Sequence, residues 1–160
     1  MHSAEPSRRS VLGRLATVAT TGLLAPGPAS RASAGPPHAP SLLLHADAAG
    51  HHWAAGTVNG LPVRFLVDTG ASAVTLSQGE ADRLRLPWRT APIGQVRSAA
   101  GTLPARLLEL AEVHVGPLRA ERVGAIVVPG REGIALLGLT FVSRFRMRRE
   151  DDVLTLEPRR

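Results

Sequence analysis

An apolar run climbs to an acid in Arg64–Ser77, "RFLVDTGASAVTLS", and the acid is Asp68. A carboxylate at the end of a buried strand is held rigidly and partly dried, which opens its pKa to tuning. Gly70 lets the backbone turn without a Cβ clash and lets its N–H approach the carboxylate. Thr69 supplies a hydroxyl that can tie the loop to a neighbour. Ala71 and Ser72 leave the site uncrowded, and Ser72 can donate to the carboxylate. The bland alternative is a strand-end turn aspartate bonded to its own loop.

One carboxylate can act as a base or a metal ligand. Hydrolysis of an amide by carboxyl groups alone, without metal, needs two, placed so close that they share one proton. The chain has no second Asp-Thr-Gly or Asp-Ser-Gly. A partner for Asp68 would therefore come from another copy of the chain, because a two-fold axis brings the same residue together twice.

The elements that must position this loop read as short strands. Asn59-Gly60, the strongest two-residue hairpin signal, lies between His52–Val58 and Leu61–Val67. Ala73–Leu76 is a further strand. Ser77 and Glu80 then form a capping box for a short helix to about Leu84, with Ala81 and Leu84 inward. Ile93–Arg97 and Leu103–Leu110 flank a small, mobile tip, Ser98-Ala99-Ala100-Gly101-Thr102. Val113–Val115 and Arg119–Val128 flank Gly116-Pro117, and Pro129–Gly133 is a loop. Leu136-Leu137-Gly138 ends an apolar strand and precedes a helical turn. Arg146–Arg149 and Val153–Glu157 form a last hairpin tipped by Asp151 and Asp152, with Phe145 and Met147 inward. Frequent turn signals between short apolar segments give an all-β class.

The 160 residues suit one domain. Aromatics are 3% and Tyr is absent, so Val, Leu, Ile and Ala must build the core. All 19 basic residues are Arg, spread along the chain without interleaved aromatics, which reads as a solvated surface and not a nucleic-acid site. Without Cys there are no disulfides and no thiolate metal sites or nucleophiles. His45, His51 and His52 lack a regular ligand spacing and read as a surface group; His114 reads as solvent-facing. No metal or other cofactor is expected.

The N-terminus reads as an address. Arg8-Arg9 precede a modest apolar stretch rich in Thr, and Ala32-Ser33-Ala34 offers a small-residue cleavage site. Ser7–Leu12 resembles the twin-arginine export motif, with Val11 where Phe is usual. The stretch is too short for a stable membrane span. Residues 1–34 are thus expected to be a signal peptide, 35–49 a linker and 50–160 the folded domain, in a periplasmic or secreted protein. Cleavage after Ala34 would leave 15 arginines against 12 acids, a charge of +3.

The stretch "FLVDTGAS" followed by "ALLGLTF" resembles the retropepsin-like aspartic proteases, and in particular an exported bacterial branch of single-domain members. The resemblance spans about Gly56–Leu156. It implies an acid-protease barrel with one or two short helices, active as a homodimer on extended peptides. Asp68 matches the catalytic aspartate. Thr69 matches the residue whose hydroxyl crosses the dimer axis, and Gly70, Ala71 and Ser72 complete the loop. Leu136, Leu137 and Gly138 match the strand that braces the loop from behind. Ser98–Thr102 falls at the flap that closes over substrate. The segment after Gly138 departs from the viral Arg-Asn or Arg-Asp pattern. Two other readings stand beside this one: an inactive retropepsin-like module that binds peptides, and a monomeric periplasmic scaffold.

Overall fold

The computed structural model describes residues 40–98, 101–129, 133 and 135–159. The chain divides into two units, Met1–Ala34 and Gly35–Arg160, and the described residues belong to the second. The expected signal peptide, residues 1–34, lies outside them.

The chain order is β1 (Leu42–His45), β2 (Trp53–Val58), β3 (Leu61–Val67), β4 (Val74–Ser77), α1 (Gln78–Arg83), a 3-10 turn (Trp88–Thr90), β5 (Ile93–Ser98), β6 (Gly101–Val115), β7 (Leu118–Val128), β8 (Ala135–Leu137), α2 (Leu139–Val142), β9 (Phe145–Glu150) and β10 (Val153–Pro158). The all-β class holds, with two short helices. β2 pairs with β3, β3 with β8, β8 with β4, β4 with β7 and β7 with β6. β6 then pairs back to β2 through Gly56–Val58 and Val113–Val115, closing a six-stranded barrel. Closure leaves these strands without a free edge. Two links in the ring, β3–β8 and β4–β7, are parallel. β5 hangs from the first half of β6, outside the ring.

Local chemistry explains the turns. Asn59 and Gly60 both take positive φ, 50° and 82°, as a two-residue hairpin turn demands. Asn59 also exchanges bonds with Glu112: its N–H donates to the Glu112 carbonyl at 3.0 Å, and its Oδ1 accepts from the Glu112 N–H at 3.0 Å. Ser77 caps α1 by accepting from the Glu80 N–H at 3.0 Å. Ala81 and Leu84 face inward and are buried. Beyond α1, Asp82 holds the Arg89 guanidinium by two bonds, 2.6 and 2.8 Å, and accepts from Trp88 Nε1 at 2.8 Å. The Arg89 bonds first, and the Trp88 bond second, hold the Asp82 carboxyl below its ordinary range.

A separate three-stranded sheet runs β1–β10–β9. Its first strand lies inside the segment expected to be a linker. Leu42 and Leu44 of β1 pair with Leu156 and Leu154 of β10, and Leu44, Leu154 and Leu156 are buried. This alternating burial draws the segment into the fold despite the Pro- and Ala-rich stretch before it.

Three further expectations change. Met147 sits opposite buried Leu156 but is 44% exposed, because β9 is the sheet edge and no strand covers it; Phe145 is inward as expected. His52 is 7% exposed and not on the surface. Its ring Nε2 lies 3.2 Å from the Asp152 carbonyl, so that nitrogen carries the proton and donates. Finally, β5 and β6 pair through Ser98 with Gly101 and Arg97 with Thr102. These residues therefore belong to strands, and only Ala99 and Ala100, outside the described residues, remain between them. His45 and His51 are exposed beside Asp152 and Asp47, and His114 Nε2 lies 2.7 Å from Glu112 Oε1.

Candidate active site

Two neighbours hold the end of β3. The Val67 N–H donates to the His52 carbonyl at 2.9 Å, and the Asp68 N–H donates to the Leu137 carbonyl at 3.2 Å. β8 lies parallel to β3 with Leu136 beside Leu66 and Leu137 beside Val67. Leu136 and Leu137 are buried. Asp68, one residue on, is half-buried.

The chain then turns on the aspartate itself. The Ala71 N–H donates to the Asp68 carbonyl at 3.2 Å, and the Gly70 N–H donates to Asp68 Oδ1 at 2.8 Å. A Cβ on Gly70 would stand 3.1 Å from that oxygen, so a side chain there would crowd the carboxylate. The bond is of the local Asx type. It fixes Oδ1, while Oδ2 makes no hydrogen bond among the described residues. Thr69 and Ser72 are exposed, and neither makes a side-chain hydrogen bond among the described residues, so the expected donation from Ser72 to the carboxylate is not seen.

The segment 138–140 clamps the other side of the loop. A Cβ on Gly138 would stand 2.2 Å from the Ala73 carbonyl oxygen and 2.7 Å from that of Ala71, so only glycine fits. The Leu139 N–H donates to the Ala71 carbonyl at 2.9 Å. Thr140 Oγ1 accepts from the Val74 N–H at 3.0 Å and donates to the Gly124 carbonyl at 2.7 Å. One hydroxyl thus joins the start of β4 to β7 behind the loop. Sequence reasoning missed Thr140; the signal was a single hydroxyl in an otherwise apolar run.

The arrangement offers a stiff, half-dry carboxylate with one oxygen engaged and one open. It supplies a single acid. No group of three or more His, Cys, Asp or Glu is placed to hold a metal among the described residues. No helix among them is long and apolar enough to cross a membrane.

Comparison with known proteins places this loop in a family. A family model described as "gag-polyprotein putative aspartyl protease" matches residues 54–144, which include the loop, β8 and α2. An uncharacterized protein in the cobV 5′ region of a Sinorhizobium species is 35% identical over 100 residues, 61% of this chain. The match spans 43% of that protein's length. The crystal structure of a retropepsin-like aspartic protease from Rickettsia conorii superposes with a TM-score of 0.68 at 26% identity, over 76% of this chain and 92% of that one. With the barrel, the Asp68 loop and the 138–140 clamp already in place, these matches make the chain a retropepsin-like protein, a member of the gag-polyprotein aspartyl protease family.

Proposed function

We propose that this protein is an aspartic endopeptidase whose site forms from Asp68 of two copies of the chain. The observation that carries the reading is the Asp68 carboxylate, gripped through Oδ1 by Gly70 and open at Oδ2, on a loop clamped by β8 and α2. Two such groups at a two-fold axis cannot both ionise and share a proton. The ionised carboxylate takes a proton from water, and the water oxygen bonds to the peptide carbonyl carbon. The protonated carboxyl gives its proton to the carbonyl oxygen, forming a neutral tetrahedral diol. The carboxyl that took the water's proton then gives it to the amide nitrogen, the C–N bond breaks to release the amine, and a diol hydroxyl returns its proton to the other carboxylate, leaving the acid product and the dyad as it began. The β5–β6 hairpin would hold an extended substrate by strand addition.

Asp68→Asn tests the reading. Wild type should cleave denatured proteins between about pH 3 and 8, falling once both carboxyls ionise. The variant should lose roughly 10²–10⁴-fold in rate with its fold intact. Equal inactivity of the two proteins would favour a peptide-binding module. Activity rising steadily to alkaline pH would exclude the shared proton.

Export through the twin-arginine route is part of the proposal and rests on Arg8-Arg9 and Ala32-Ser33-Ala34. A reporter fused after residue 40 should leave the cytoplasm, and Arg8→Lys with Arg9→Lys should retain it there.

A further inference from the structure

At the root of the β5–β6 hairpin lies a cavity of about 240 Å³. None of its lining residues belongs to the Asp68 loop. Three of them form a row across adjacent strands: Ile93 pairs with Arg106, and Arg106 pairs with Val127. Directly opposed residues share a sheet face, so this row is one wall. Trp88 forms another, and Pro104 and Pro129 complete the rim.

The charge at this cavity is unusual. Arg106 is half-buried, and its Nη1 donates to the Ala91 carbonyl at 2.7 Å. No carboxylate pairs with it among the described residues, where the arginines that do hold a carboxylate, Arg83, Arg89, Arg119, Arg122 and Arg148, are all exposed. A guanidinium presents five N–H donors in a planar fork that matches a carboxylate. Beside it, Ile93 is 65% exposed, and Trp88 is fixed by its bond to Asp82 and by the Arg89 guanidinium 4.6 Å from its ring. An apolar wall, a rigid indole and an unpaired arginine together describe a site for a small molecule with an apolar body and one carboxylate. Drug-sized sites run to roughly 300–1,000 Å³, so the ligand here is smaller, of the size of a single aromatic ring with its acid.

We propose that this cavity binds small apolar monocarboxylates and that the bound molecule ties the hairpin root to the barrel. Ile93 and Pro104 lie on the hairpin, whereas Arg106, paired to Val127 in the barrel, belongs to the body with Trp88 and Pro129, so a ligand touching both sets restrains their separation.

Benzoate and its neutral analogue benzamide test this on the full chain by NMR, with the Trp88 indole N–H assigned through a Trp53→Phe variant. Benzoate should shift that resonance saturably, and benzamide should bind about tenfold more weakly or worse. Arg106→Gln should erase the preference, and benzoate should slow amide exchange at Gly94–Val96 and Leu103. The two-ligand comparison on wild type stands even where the variant folds poorly. Equal binding of both ligands, no binding of benzoate, or a preference that survives Arg106→Gln overturns the site. Binding that leaves hairpin exchange unchanged overturns the tether. Every readout is independent of peptidase activity, so a failure of the proposed function leaves this test intact.

Discussion

The two carboxylate oxygens of Asp68 are differently engaged. Oδ1 closes the residue's own turn, as in many strand-end aspartates, and Oδ2 makes no hydrogen bond among the described residues. The sequence alone could not separate a turn residue from a catalytic one, because the Asx bond belongs to both. Bonds from Val67 to His52 and from Asp68 to Leu137 hold the strand end on both sides. A second carboxylate gives a prediction at this scale. Asp82 is held ionised in the fold by Arg89 and Trp88, so its folded pKa lies below the unfolded value of about 3.9. Its stabilising contribution is present above that value and is lost as pH falls through the folded pKa. The Trp88 indole N–H resonance should therefore move only below about pH 4, and Asp82→Asn should abolish that transition. A transition above this range would contradict the assigned contacts. His52 was illegible for the opposite reason: its neighbours His45 and His51 are exposed, and its partner, the Asp152 carbonyl, lies a hundred residues away in the β9–β10 turn.

At the scale of elements, hairpins were readable where turn chemistry is strong. Asn59-Gly60 fixed the β2–β3 register, and Ser77 with Glu80 fixed the start of α1. The failures have one cause, which is that an edge or a partner strand lies far away in sequence. β1 is recruited by β10, more than a hundred residues later, and Met147 lacks a cover because β9 ends its sheet. The Thr140 clamp was equally hidden, since its two partners, Val74 and Gly124, come from separate strands. Thr140→Val keeps the shape but leaves the Val74 N–H and Gly124 carbonyl unpaired. That should cost about 1–3 kcal/mol, seen as a lower Tm and faster exchange at Val74. Thr140→Ser should restore both readouts. Gly138→Ala should be more damaging, because its Cβ meets backbone oxygens and not a side chain that can swing away. A Gly138→Ala protein with unchanged Tm and Val74 exchange would contradict the clamp.

At the scale of the whole molecule, the barrel closes on itself, and β1, β9 and β10 form their sheet within one chain. A dimer must therefore be made from surfaces left over by these pairings. Beside the Asp68 loop those surfaces include exposed Thr69 and Ser72 and 41%-exposed Leu139. Leu139→Glu should weaken self-association by placing two buried like charges near the axis, lowering activity at low protein concentration and sparing the monomer's Tm. Sedimentation at several concentrations, run beside the assay, reads this directly. The central claim is that two copies of Asp68 make one site, and subunit mixing tests it most directly. A fixed amount of wild type is equilibrated with increasing Asp68→Asn protein and assayed on a denatured substrate. A shared site predicts that activity per wild-type subunit falls to about half in an equimolar mixture and towards zero with excess variant. Activity per wild-type subunit that stays constant, with subunit exchange demonstrated in the same samples, would contradict it.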